Sequence, residues 1–255
     1  MLTEILKIFS DIRSEHEPAP NYADIFPSVK ENPRESINFL KKKIDIINGF
    51  KEQHYAETSN VFGKGFLIPL VRMGISPQLI FLNREFRKTA KSLYTRGSFP
   101  MRTALGRRFS ADPTAPGSLP IFEPHTLSNY QLCYWGVLDA YYRQIQVEQL
   151  YQKISGNFLW ASTEDFNDFE KTLKIGSTLG LHVDNLEEAR CIHEEITTIH
   201  HNPNRPSPAG IGETPIDHDE EETEVIDRVA FYDLLFIEHV RHSQFIDASL
   251  AKKLH

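Results

Sequence analysis

The chain has 255 residues, 40% of them hydrophobic and 25% charged, and carries a formal net charge of −7. That is ordinary globular composition, long enough to bury a large core, and its acidic balance argues against a general nucleic-acid binder. No apolar run approaches the roughly 18 residues of a membrane span. Two cysteines are too few for a disulfide framework, and "MLTEILKIFSDIRSEHE" lacks the basic start and cleavage site of a secretory signal, so a cytoplasmic location is expected.

Residues 2 to 10 have helical spacing, with Leu2, Ile5, Leu6 and Phe9 on one face. "DIRSEHEPAP" follows as a short extended piece, stopped by Pro18 and Pro20. Asn32 and Pro33 open a helix whose apolar positions are Ile37, Leu40, Ile44 and Ile47. "HYAETSNVF" is strand-like, "GKGFLIPLVRMG" a short helical piece, and "QLIFLN" the strongest strand candidate. Residues 99 to 125, rich in Pro, Ser, Gly and Arg, predict a long surface segment or lid.

A long helix is expected over 126 to 154, a last strand at "NFLWAST", and a helix closing near Gly180. Another helix spans "NLEEARCIHEEITTIHH", a Pro/Gly-rich loop follows it, and 223 to 254 read as one terminal helix. This alternation predicts a single α/β domain over 1–255: three layers, with a mostly parallel sheet flanked by helices.

"FLNREFRKTAKSLYTRG" places Arg84, Arg87, Lys88, Lys91 and Arg96 directly behind the strongest strand. On a helix, Phe86, Ala90 and Leu93 share a side that would pack on the sheet, and Lys88 and Ser92 lie four apart on another face. A helix start after a parallel strand offers free N–H groups and a favourable dipole to phosphate-type anions. Arg84, at the junction, could grip an oxyanion bidentately, with Ser92 as a neutral donor. Taken alone, a solvated helix face accounts for a basic helix more often than an anion site does.

Four stretches in chain order resemble the sulfotransferase family. "LIFLNREFRKTAKSLYTRG" resembles its 3′-phosphate-binding segment, with Arg at the strand end and Ser eight positions later. Glu85-Phe86 stands where family members often carry Asp-Pro. "YAETSNVF" resembles the preceding strand with its Glu-Thr-Ser, and "FLWASTEDFNDFEKTLKIGSTLGL" the late strand, acidic pair and helix. "SEHEPAP" is similar to a segment after the first helix of bacterial members. The resemblance covers roughly residues 1 to 205.

It implies a P-loop-like fold and a co-substrate, 3′-phosphoadenosine 5′-phosphosulfate (PAPS), with no metal. The sulfuryl group would pass to a hydroxyl or amine of a carbohydrate, lipid or small-molecule acceptor, with 98–125 as the acceptor-side loop. Arg84 and Ser92 would hold the 3′-phosphate, and Arg87 would not be needed. The loop and helix of 202–255 bring Arg205 within reach of phosphate. Glu17, and after it His16, is the expected catalytic base, although a polar turn before Pro18 explains that cluster equally well.

Family members also have an initial strand and a Gly- and Thr-rich loop that holds the phosphosulfate. "MLTEILKIF" matches the helix after that loop, so the chain is expected to be inactive by itself, and open strand edges would favour homo-oligomers. "FGKGF" is too short and follows the wrong strand to replace that loop. The alternative is a degenerate, non-catalytic nucleotide-binding or interaction protein of the same fold.

Three other clusters read as structural. Glu238, His239 and His242 are surface residues unless His200 and His201 complete a metal site; Cys133 is a buried thiol; and "DHDEEETE" (217–224) is a solvated helix start.

Overall fold

The computed structural model describes residues 2–199 and 216–254. These form a mixed α/β structure dominated by helices. A short helix α1 (Leu2–Leu6) leads into strand β1 (Ile12–His16), then α2 (Tyr22–Glu31), α3 (Ser36–Ile47) and β2 (His54–Thr58). Next come α4 (Leu67–Arg72), β3 (Leu79–Asn83), α5 (Phe86–Thr95), α6 (Ala104–Phe109) and α7 (Asn129–Lys153). The chain continues through β4 (Phe158–Ser162), α8 (Phe169–Thr178), α9 (Leu186–Thr198), α10 (His218–Ala230), α11 (Leu234–Arg241) and α12 (Ala248–Leu254).

All four strands sit where the sequence puts them, and both pairings are parallel: β1 with β2 (Ile12 opposite His54) and β3 with β4 (Leu79 opposite Phe158). Parallel pairing needs a long crossover, supplied here by α2–α3 and by α5–α7. The two pairs are separate two-stranded sheets among the described residues, not the continuous central sheet expected from the alternating pattern. Helix α1 joins their cores. Ile5 is buried with Ala161 and Phe166 beneath β3–β4, and Leu6 packs in the cluster that takes in Ile12 and Ala56 of β1–β2.

The largest core surrounds α7, which buries residues on nearly every side, including Tyr130, Cys133, Tyr134, Trp135 and Leu138. Its start is a capping box: Ser128 Oγ accepts the Gln131 N–H at 3.1 Å, and Gln131 returns a side-chain oxygen to Ser128 N at 2.8 Å. The apolar side of α5 (Phe86, Ala90 and, partly, Leu93) packs into this helical core, with Phe86 against Tyr141 of α7, instead of lying on a sheet.

Two further expectations change. The segment from 99 to 125 is no surface lid: Phe99, Ala111, Leu119 and Ile121 are buried, and Leu119 O accepts the Trp135 indole N–H at 3.1 Å. Gly106 of α6 sits so close to Phe99 O that an added Cβ would lie 1.7 Å from it. Helix α2, over residues with no element expected from the sequence, starts where Asn21 caps Ala23 N at 2.8 Å. The terminal stretch is three helices, since Asp233 and Asp247 each accept an N–H two or three residues on and so start a new helix.

Candidate functional site

The C-terminal ends of β1 and β2 form one polar corner, and Glu17 and His16 both lie in it. The Glu17 N–H extends the strand pairing to Thr58 O at 3.2 Å, but its φ of +44° turns the chain sharply out of the sheet. A non-glycine residue in this left-handed region costs roughly 1–3 kcal/mol and persists only where its surroundings hold it. Here the Glu17 carboxylate accepts from Ser59 Oγ at 3.0 Å and Asn60 N at 3.3 Å.

His16 is exposed, and its Nδ1 lies 3.0 Å from Thr58 O and 2.9 Å from Thr58 Oγ1. A carbonyl oxygen only accepts, so the bond to Thr58 O uses the tautomer with the proton on Nδ1, which in the neutral ring leaves the Nε2 lone pair open. Thr58 Oγ1 in turn meets Thr3 Oγ1 at 2.7 Å, tying the start of α1 to the corner.

Lys64, in the "FGKGF" stretch set aside above, belongs to the same region. Its Nζ donates to Phe109 O at 2.8 Å, and burial lowers its pKa to about 8. Asp139 and Glu17 are the carboxylates that oppose this shift, which puts Lys64 within electrostatic reach of the Glu17 carboxylate. No residue-type pattern marked Lys64, because its neighbourhood with Glu17 arises only from folding.

Beneath the 17–20 turn lies a second polar group. Lys43 and Glu57 pair at 3.0 Å with side chains 3% and 8% exposed, and Lys43 Nζ also donates to Pro18 O and Pro20 O at 3.2 and 3.1 Å. Tyr55 donates to the other Glu57 oxygen at 2.6 Å. Burial raises the Glu57 pKa, while the bonds from Tyr55 and Lys43 work against that rise. An adjoining cavity of about 230 Å³ is lined by Arg13, Glu15, Lys43, Phe50 and Tyr55. The available signal was Lys43 itself, a cation in the core-facing register of α3 with Phe39 and Leu40.

The β3 end is a separate group. Arg84 is exposed between β3 and α5, and Ser92 is half-buried two turns further along α5. Phe86, the first helical residue, already donates its N–H to Phe245 O at 2.8 Å. Lys88 pairs with Glu85 at 2.7 Å.

Arg87 differs from the rest of the basic cluster. It grips both Glu222 oxygens, bonds Asp219, and meets Asp247 at 2.9 Å and Ser249 at 3.0 Å. Glu222 is fully buried. The acidic run at 217–224 is therefore divided: Asp217, Glu220 and Glu224 are exposed at the start of α10, as expected, whereas Asp219 and Glu222 turn inward as a clamp on Arg87.

No hydrogen bond or ion pair joins Arg84 to Glu17 or His16. Arg205 lies outside the described residues. Cys133 is buried and its thiol is pushed up to about 12, and Glu238 pairs with Arg241 at 2.8 Å. Among the described residues no group of three or more His, Cys, Asp or Glu is placed to hold a metal ion, and no helix is long and apolar enough to cross a membrane. No protein-family model matches the chain, and no curated protein or solved structure matches it.

Proposed function

We propose that the chain is a sulfotransferase-type domain in which PAPS supplies a sulfuryl group to a hydroxyl or amine of a carbohydrate, lipid or small-molecule acceptor. The observation that carries this proposal is the corner at the ends of β1 and β2: a carboxylate held on a strained backbone, an exposed imidazole, and a half-buried lysine within electrostatic reach. Parallel strands gather functional groups at their C-terminal ends, and helix dipoles favour anions there.

In this scheme Glu17 takes the acceptor proton, with His16 Nε2 as the second candidate, and Lys64 supplies positive charge beside the reacting groups. Arg84 and Ser92 bind the 3′-phosphate, and Arg205 adds to phosphate binding. Transfer also calls for a loop around the 5′-phosphosulfate. Because the two sheets are not bonded to each other, each has an edge onto which a strand bearing such a loop can add, and together they would form the three-layer P-loop-like sheet.

A second proposal, a non-catalytic nucleotide-binding or interaction protein, is favoured by one contact. The Phe245 carbonyl occupies the first N–H of α5, where a phosphate oxygen would otherwise sit. Calorimetric titration with 3′,5′-adenosine bisphosphate, followed by a PAPS turnover assay, separates the two. Binding with turnover supports transfer, binding alone supports a non-catalytic nucleotide-binding protein, and no binding rejects both of these and leaves the interaction protein.

A further inference from the structure

The junction between α10 and α11 displays an apolar surface with no use in the proposed site. Phe231, Leu234 and Leu235 are 70%, 67% and 78% exposed, and Tyr232 and Phe122 are about half exposed. Three of them touch, the Phe231 ring lying 5.2 Å from that of Phe122 and 5.0 Å from that of Tyr232, and Leu234 and Leu235 follow within four residues at the start of α11. The surface is also built. Phe122 N donates to Arg228 O at 3.3 Å, and the Arg228 guanidinium returns a bond to Glu123 O at 3.2 Å, so the loop carrying Phe122 is fastened to α10.

We infer that this surface is the centre of a two-fold interface between two copies of the chain. Size is the first reason. With aromatic side chains of about 150–250 Å² and leucines somewhat smaller, the exposed fractions leave roughly 500–600 Å² of apolar area open. That is the upper end of the largest patch on a typical monomer, about 300–600 Å². It also matches the apolar share, about 65%, of the roughly 800 Å² that each partner buries in a standard dimer.

Charge is the second reason. Residues 223–243 contain no lysine, and their acids (Glu224, Asp227, Asp233, Glu238) outnumber Arg228 and Arg241. Membrane-docking faces use a basic rim, which this surface lacks. Glu238 with Arg241 and Glu224 with Arg228 are already paired locally, which leaves Asp227 and the helix-capping Asp233 as the charges a two-fold related copy meets.

Sedimentation velocity and light scattering on the full chain test the inference. A mass of twice 29.4 kDa is expected within a range of about 1–100 µM, a Kd scale typical of interfaces this size. Leu235→Glu and Phe231→Glu should each weaken the dimer at least tenfold, with circular dichroism unchanged because both side chains are exposed. Ile46→Glu, at an exposed apolar position on α3, should leave it intact. A wild-type monomer throughout the range overturns the inference, and so does a dimer indifferent to both glutamates. Wild-type chain that stays monomeric but co-sediments with phosphatidylcholine/phosphatidylserine vesicles, and loses this in Leu235→Glu, replaces the dimer with a lipid surface.

Discussion

Replacing Arg87 by alanine removes one guanidinium that joins α5 to both α10 and α12. Its Nε donates to Glu222 at 2.9 and 3.0 Å, and its NH1 and NH2 reach Asp247, Ser249 and Asp219. Glu222 would be left fully buried with the Tyr130 hydroxyl as its remaining side-chain partner. Breaking a buried pair by removing one member costs about 3–5 kcal/mol, because the other charge stays uncompensated or must take up a proton. For a chain of this size that corresponds to a melting-point drop on the order of 10 °C.

Urea unfolding of wild type, Arg87→Ala, Glu222→Gln and the double variant gives the measurement. The double variant should cost clearly less than the sum of the singles, since both partners of the pair are then gone. Lys88→Ala, at an exposed pair one residue along, should stay within about 0.5 kcal/mol of wild type. An Arg87→Ala cost under about 1 kcal/mol, or strict additivity, would refute the clamp.

The remaining expectations concern the site, pH and packing. Arg84→Ala should weaken adenosine bisphosphate binding tenfold or more by calorimetry (roughly 1.5–3 kcal/mol), whereas Arg72→Ala should not; equal effects would leave Arg84 a solvated side chain. Glu17→Gln should remove turnover in any active form while sparing bisphosphate affinity, and turnover lost instead in His16→Ala would move the base to His16.

Lys64 is held at about 8 against an ordinary 10.5, so the unfolded chain binds more protons between those values. Stability relative to Lys64→Met should therefore rise as pH climbs from about 8 to 10.5, and a flat difference would show that Lys64 is not desolvated. Asp219, bonded by Lys253, Ser249 and Arg87, lies well below its usual range. Its contribution should be intact at neutral pH and fade as pH falls below the ordinary aspartate value, and Asp219→Asn should abolish that acid dependence. Gly106→Ala should destabilise by more than about 2 kcal/mol in denaturant unfolding, since the new Cβ meets backbone that cannot rotate away.

Much of the local structure was readable from residue order alone. A continuous apolar run marked β3, bounding prolines marked the extended piece of β1, Asn32–Pro33 marked the turn into α3, and the positive φ of Gly180 closes the region after α8. Those signals are local, carried by side-chain alternation, caps and backbone preference within a few residues. That His16 and Glu17 close an extended piece was legible for the same reason, whereas a role as base was implied only by the family resemblance. What tertiary structure alone decided depends on partners far apart in the chain. Strand signals do not say which strands pair, so one expected sheet became two. The acidic run at 217–224 looked solvated because its cation, Arg87, lies more than a hundred residues earlier. No role was expected for Lys64 or Lys43, and only folding set them against Phe109 O and Glu57. Charge is visible in a sequence, but desolvation and pairing are properties of the packed chain, and those two terms turn such residues into clamps and site groups.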